Sequence, residues 1–231
     1  MLCTVNDKTK VENIDCMVRM REFPDKFFEL AIIDAPYGIN WMNQIQNPNL
    51  KANWKAYENK EWDNCVPTED YFNELYRISV NQIIWGANYY SMPPSPCWVI
   101  WDKLQEFSGA EFEMAWTSFT SPSKAFRYSR VEAYTNQEKI HPTQKPIKLY
   151  KWLLKNYAKE GDKILDSHCG SQSSRIASFD GGFEFWGYEL DESYFIEGNK
   201  RFENHKKQLP IIFNDNDSRK KEVRDLPNLF S

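Results

Sequence analysis

The stretch between residues 163 and 189 constrains this chain more than any other. An apolar strand over 163–166 ends in Asp166, a turn over 167–171 contains Gly170, and a helix over 172–179 stops at Gly181-Gly182. A second strand over 183–189 ends in Glu189. Strand, helix and strand in this order form a βαβ unit, which requires a parallel sheet and a right-handed crossover. In open α/β sheets ligands bind beyond the carboxyl ends of the strands, so Asp166 and Glu189 stand at the binding edge. An acid ending the second strand accepts hydrogen bonds from two ribose hydroxyls. The three spaced glycines of the dinucleotide fingerprint are absent, as is a phosphate-binding Gly-Lys-Ser/Thr. That argues against a pyrophosphate ligand and for a phosphate-free nucleoside. Taken alone, the same residues read equally well as a plain structural turn.

The 231 residues suit one α/β domain with insertions. Within 27–37 the apolar run Leu30 to Ile33 predicts a buried strand stopped by Pro36 and Gly38, and 14–21 predicts a short helix before it. Thr68-Glu69-Asp70 opens a helix running to about Ser79. Strands are expected over 82–85, 98–101, 113–119 and 125–130. A helix is expected over 146–158 with its proline in the first turn, and a last one over 192–207. Residues 40–68 are polar, carry Trp41, Trp54 and Trp62, and show no period, as a functional loop does. The expected division is a domain over 1–208 and a charged, irregular tail over 209–231.

A net charge of −4 argues against coating nucleic acid through charge alone, and leaves room for one local basic face. The high aromatic share, 16%, serves a core first and base stacking second. The five cysteines are odd in number and no pair has metal-knuckle spacing. Reduced thiols, no metal site and a cytoplasmic location are expected. No apolar run reaches membrane-spanning length and no signal peptide opens the chain, so no membrane partner is expected. Oligomeric state is left open.

Asp34-Ala35-Pro36-Tyr37 follows the strand at 30–33. The lone pair of an exocyclic base amine is delocalised into the ring, so a catalyst must hold the amine with acceptors. Asp34 supplies a carboxylate, and the Ala35 carbonyl, fixed by Pro36, supplies a second acceptor. Tyr37 supplies a flat face for an extruded base, and alignment does the rest. By itself this is also a common strand followed by a proline turn.

The motifs in combination say more. Asp34-Ala35-Pro36-Tyr37-Gly38, His141-Pro142-Thr143-Gln144-Lys145-Pro146, Ile164-Leu165-Asp166 with Gly170-Ser171, and Gly187-Tyr188-Glu189 fall in one order. That order resembles the β class of amino-directed DNA methyltransferases, whose catalytic motif precedes the cofactor motif. Residues 84–90, 98–103 and 115–119 are similar to a small phage- and prophage-type adenine subgroup, and the resemblance spans roughly 13–205. It implies a Rossmann-like, circularly permuted α/β fold with a mostly parallel seven-stranded sheet and a small recognition insertion. It also implies methyl transfer from S-adenosylmethionine to adenine in DNA. Asp34, Ala35, Pro36 and Tyr37 would form the catalytic motif. Asp166, Ser167, His168, Gly170 and Ser171 would line the methionine end of the cofactor, together with Asp34, and Glu189 its ribose. Thr143 and Lys145 would lie near its carboxylate, and Asp15 and Cys16 along its adenine, with Cys16 a packing residue. His141 would order its turn. The region 102–140 would read the target, with Lys124, Arg127 and Arg130 either on phosphates or on a solvated strand face. Apart from the resemblance, Trp41 and Trp54 of the 40–68 loop are expected to close over an extruded base.

Three departures matter. Ala35 stands where the family usually has Pro, but only the carbonyl is needed. The leading Asp favours adenine, since the cytosine enzymes more often begin with Ser. Gln172 replaces a glycine of the cofactor loop, and a positive φ there would weaken cofactor binding. The rivals are therefore a cytosine-amino or RNA methyltransferase of the same fold, and a degenerate DNA-binding relative. A nicotinamide oxidoreductase is disfavoured by the missing glycines.

Overall fold

The computed structural model describes residues 7–39, 63–105, 110–135 and 139–214. Its centre is β2 (Phe28–Ile33), the expected apolar strand. Leu30 and Ile32 face one core cluster, and Ala31 and Ile33 face another. A strand buried on both faces has no polar side to show. On the first face lies α4 (Ile147–Tyr157), which contributes Leu149, Tyr150, Leu153 and Leu154. On the second lies α2 (Glu69–Ile78), which presents Tyr71, Leu75 and Ile78 at helical spacing. Thr68 caps α2 by accepting from the Tyr71 amide, and Glu69 and Asp70 fill its first turn.

The remaining elements are β1 (Thr9–Asn13), α1 (Cys16–Met20), β3 (Ser79–Trp85), β4 (Trp98–Asp102), β5 (Phe112–Thr117), β6 (Lys124–Arg127), α3 (Arg130–Thr135), β7 (Lys163–Asp166), α5 (Ser173–Asp180), β8 (Glu184–Glu189) and α6 (Glu192–Asn214). The sheet order is β1-β8-β7-β2-β3-β5-β4-β6. Every neighbouring pair is parallel except the two that involve β5. The expected mostly parallel α/β sheet is present, with eight strands among the described residues where seven were expected. β1 is the strand for which no expectation existed, its short polar sequence Thr-Lys-Val-Glu-Asn giving no apolar run. The strand β2 lies between β7 and β3, so the βαβ unit flanks it on one side and the region expected to read the target on the other.

Two expectations are corrected. The strand expected over 125–130 ends at Arg127, and the chain turns into α3, where Ser129 accepts from the Val131 amide through its hydroxyl and from Ala133 through its carbonyl. The tail expected to be irregular from Gln208 continues as helix to Asn214. Trp41, Trp54 and Trp62 lie outside the described residues, as does the chain beyond Asn214.

Candidate active site

The turn expected to be catalytic follows β2. Tyr37 donates its hydroxyl to Asp34 Oδ1 at 2.7 Å, and the Lys145 ammonium donates to the same oxygen at 2.5 Å. Lys145 also reaches Glu113 Oε2 at 3.1 Å, and Glu113 Oε1 holds Lys103 at 2.8 Å. Four buried or half-buried charges thus alternate in sign from Asp34 to Lys103. Burial opposes the charge on Lys145, but Asp34 and Glu113 outweigh it and hold the ammonium protonated. Burial likewise opposes the charge on Glu113, but Lys145 and Lys103 bring it down to about 2. Burial pushes Asp34 up; Lys145 works against that rise and Glu113 adds to it.

The backbone of the turn is held just as closely. Asp63 Oδ1 accepts from the amides of Tyr37 (2.7 Å) and Gly38 (3.0 Å). The Tyr90 hydroxyl lies 2.9 Å from both the Ala35 and the Pro36 carbonyl. One hydroxyl proton thus serves both carbonyls. Tyr37 is stacked on Tyr89 at 5.2 Å and 15°. Gly86, at φ +67°, lies so close that an added Cβ would sit 2.1 Å from the Tyr37 ring. In this state the flat face expected of Tyr37 is therefore covered by Tyr89.

The βαβ loop is organised differently. Asp166, 1% exposed, accepts from the Ser174 hydroxyl at 2.5 Å and the His168 amide at 3.0 Å. Burial raises its pKa to about 7. Glu189 accepts from the Gly170 amide at 2.7 Å and the Asp191 amide at 2.8 Å, and burial raises it as well. Ser167 meets the Tyr71 hydroxyl at 2.6 Å and His168 Nδ1 at 2.9 Å. Burial lowers His168 to about 4, so it is neutral at pH 7. Asp15 caps α1 through the Met17 amide, and the backbone of Ile14 donates to Glu189, which brings Asp15 and Cys16 alongside that acid. Burial raises the Cys16 thiol to about 12, as suits a packing residue and not a nucleophile.

Gln172 has the left-handed backbone that made it a concern, φ +56°. Its side chain is fully buried beneath α6, where Gly198 leaves the space: a Cβ on Gly198 would meet it at 2.7 Å. Its amide oxygen accepts from Arg175 at 2.9 Å, and Arg175 also binds Asn199 and Thr9. The side chain therefore points behind the loop, and Gly170 still presents its amide to Glu189.

The structure brings together Asp34, Ala35, Pro36 and Tyr37 in one cluster, and Asp15, Cys16, Asp166, Ser167, His168, Gly170 and Glu189 in another. Ser171 is buried, its hydroxyl on Ser173 and its carbonyl on Arg201. Thr143 lies against His141 Nδ1, and the His141 ring packs on Tyr194 beside Gly170. Lys145 places its ammonium between Asp34 and Glu113, in the cluster at the end of β2. Of the expected phosphate contacts, Lys124 is bound to Asn156, Arg127 is largely exposed near Asp102, and Arg130 opens α3. The sequence did not single out Asp63, Tyr71, Tyr90, Lys103 or Glu113. The matches at 84–90 and 98–103 covered Tyr90 and Lys103 without giving either a role, and the partners of these residues lie elsewhere in the chain.

A family model described as DNA methylase, of the N6/N4 kind, matches residues 43–200. The Type II methyltransferase M2.DpnII of Streptococcus pneumoniae is 24% identical over 213 residues, 85% of this chain and 72% of that protein. M2.LlaDCHI of Lactococcus lactis subsp. cremoris is 22% identical over 205 residues, 84% and 71%. Among solved structures, the M1.HpyAVI–SAM complex has a TM-score of 0.54 at 15% identity, covering 84% of this chain and 99% of that one. The cytosine-N4-specific PvuII DNA methyltransferase has a TM-score of 0.53 at 13% identity, covering 94% and 90%. At such identities these two structures show a common fold. Among the described residues no helix is long and apolar enough to cross a membrane.

Proposed function

This chain belongs to the N6/N4 family of DNA methylases, and we propose that within it the chain methylates the exocyclic amine of adenine with S-adenosylmethionine as donor. The observation that carries the reading is the pairing of Asp34 and the Ala35 carbonyl at the end of β2, next to the loop that ends β7. A leading Asp in that motif supports adenine over cytosine. The segments at 84–90, 98–103 and 115–119 support placement in the phage- and prophage-type subgroup.

The residues of the loop fit the cofactor. Carboxylates at Asp15, Asp166 and Glu189 suit a cationic, phosphate-free nucleoside and would repel a polyphosphate. Glu189 keeps acceptor capacity beyond the two amides it already holds, enough for ribose hydroxyls. Asp166, Ser167, His168 and Gly170 would hold the methionine end, and Asp15 and Cys16 the adenine. When bound, S-adenosylmethionine supplies an electrophilic methyl group and departs as the neutral thioether. Asp34 and the Ala35 carbonyl orient the amine, with Tyr90 fixing the carbonyl in place. Tyr37 turns from Tyr89 to stack on the base. The amine nitrogen gains the methyl carbon and gives up one N–H proton, which the Asp34 carboxylate takes and passes to solvent. Lys145 holds Asp34 in position throughout. Arg127 and Arg130 contact the DNA backbone at the far side of the sheet.

Gln172 does not support the degenerate-relative reading, because its side chain is directed away from the loop. The test is to incubate the purified protein with S-adenosylmethionine and adenine-containing DNA, digest the DNA, and separate the nucleosides by mass spectrometry. N6-methyldeoxyadenosine is expected, and its loss in Asp34→Ala. N4-methyldeoxycytidine would move the target to cytosine. Cofactor binding with no methylated base in DNA would overturn the reading.

A further inference from the structure

We propose that Glu113 is a positioning residue for methyl transfer: it shares the Lys145 ammonium with Asp34 and so keeps Asp34 a strong acceptor for the target amine. The proposal rests on the reading of Asp34 given above. Lys145 is 2% exposed, so its charge acts at short range with little screening by water. An ammonium committed to Asp34 alone would neutralise the very group that has to attract the amine. Glu113 draws part of that charge away at 3.1 Å, and Lys103 pins Glu113 from its other oxygen at 2.8 Å. The four groups then sum to zero. Without Glu113 they sum to one positive charge, beside an amine that itself becomes positive as it reacts.

Glu113 is also well placed to link two regions. It sits near the start of β5, the antiparallel strand between β3 and β4. Lys103, its partner, packs over Trp101, receives the Arg130 amide on its carbonyl and donates its own amide to Glu111. The charge alternation therefore runs from the catalytic turn into the region expected to read the target.

Other titratable groups near Asp34 do not take this role. Tyr37, Tyr90, Tyr134 and Tyr150 are all raised by burial and stay neutral. Asp166 lies within electrostatic reach of Asp34 but makes its hydrogen bonds within the cofactor loop. Lys139 and Arg130 face the Glu113 side of the cluster.

The experiment reads the Asp34 carboxyl carbon by NMR titration in the cofactor-free protein, alongside steady-state kinetics. Glu113 raises Asp34 and Lys145 lowers it. Glu113→Gln should therefore move the Asp34 midpoint to lower pH by about one pH unit. Lys103→Met frees Glu113 for Lys145 and should move the midpoint the opposite way, a sign reversal that loss of packing does not produce. In turnover, Glu113→Gln should lower kcat about tenfold, leave the KM for S-adenosylmethionine unchanged, and shift the acid limb of the pH profile downward. Glu113→Asp should restore most of the rate. An unmoved Asp34 midpoint in both variants, or a loss of kcat with the acid limb in place, overturns the proposal. If Glu113→Gln loses its cooperative melting transition, the direction seen in Lys103→Met decides. A wild type that binds cofactor yet methylates no DNA sinks the functional reading, and the carboxyl titration still decides whether Glu113 tunes Asp34.

Discussion

The catalytic turn and the cofactor loop lie on adjacent strands, yet they are assembled in opposite ways. The loop is built from near neighbours: Ser174 binds Asp166 across eight residues, and Glu189 binds Gly170 across nineteen. The turn is built from afar: Lys145 reaches Asp34 across 111 residues and Tyr90 reaches Ala35 across 55. The acids of the loop are held by amides and a hydroxyl, whereas Asp34 of the turn is held by a buried cation and a phenol. The acids of the loop therefore find these partners within their own βαβ unit, whereas Lys145 and Tyr90 reach the turn from distant parts of the chain.

The sharpest way to break this contrast is Lys145→Met. It leaves Asp34 and Glu113 as buried carboxylates without their shared cation, which costs about 3–5 kcal/mol at neutral pH. Chemical denaturation should show that loss shrinking as the pH falls and Asp34 takes up a proton, with cofactor affinity nearly unchanged in whatever protein remains folded. Gly86→Ala comes next. It adds a Cβ at φ +67° against the Tyr37 ring, and the expected cost is about 2 kcal/mol. Tyr37 should be displaced, so the kcat should fall while calorimetric titration with S-adenosylmethionine stays the same.

The loop answers to pH instead. Asp166 rises to about 7 in the folded chain from an ordinary 3.8. Its contribution to the cofactor-free fold is thus complete below about 4 and lost as the pH rises through about 7. His168 falls to about 4 from 6.5, so its contribution is present above about 6.5 and lost as the pH falls through about 4. A cationic ligand wants Asp166 ionised. Affinity for S-adenosylmethionine should therefore strengthen up to about tenfold between pH 6 and 8. Calorimetry that shows flat affinity over this range would separate Asp166 from the ligand. The smallest effect is expected for Gln172→Gly. Relief of the left-handed backbone, about 1 kcal/mol, is outweighed by loss of the Arg175 hydrogen bond and the space left above Gly198. A net loss of about 1 kcal/mol is expected in thermal melting, with cofactor affinity within about twofold of wild type.

The same contrast explains what could be read from the chain. The loop was legible because its determinants are consecutive: an apolar run, an acid, a glycine turn, a second run. The Asp34 motif was legible as a set of residues, but not its surroundings. Nothing near Glu113 in Phe-Glu-Met-Ala-Trp-Thr distinguishes a buried counter-ion from an exposed strand acid. Lys145 stood out as part of a motif, but its pairing with Asp34 and Glu113 did not, because a motif records residue types and not where an ammonium on a long flexible stem will end. Gln172 was marked as a flaw because the compensation sits at Gly198, on a different helix.

Gly86 and Lys145 also bracket the segment that contains β4, β5, β6 and α3. One touches the Tyr37 ring through its backbone, and the other lies over that ring at 5.7 Å and beside its hydroxyl. The intervening chain is thus a cassette tied at both ends to the same aromatic ring. Residues added at its turns lengthen a closed loop, which costs little entropy, and leave both ties in place. Tyr90, Lys103 and Glu113 lie inside this segment, so any exchange of its interior that keeps the charge and carbonyl contacts at Asp34 and Ala35 has to keep those three.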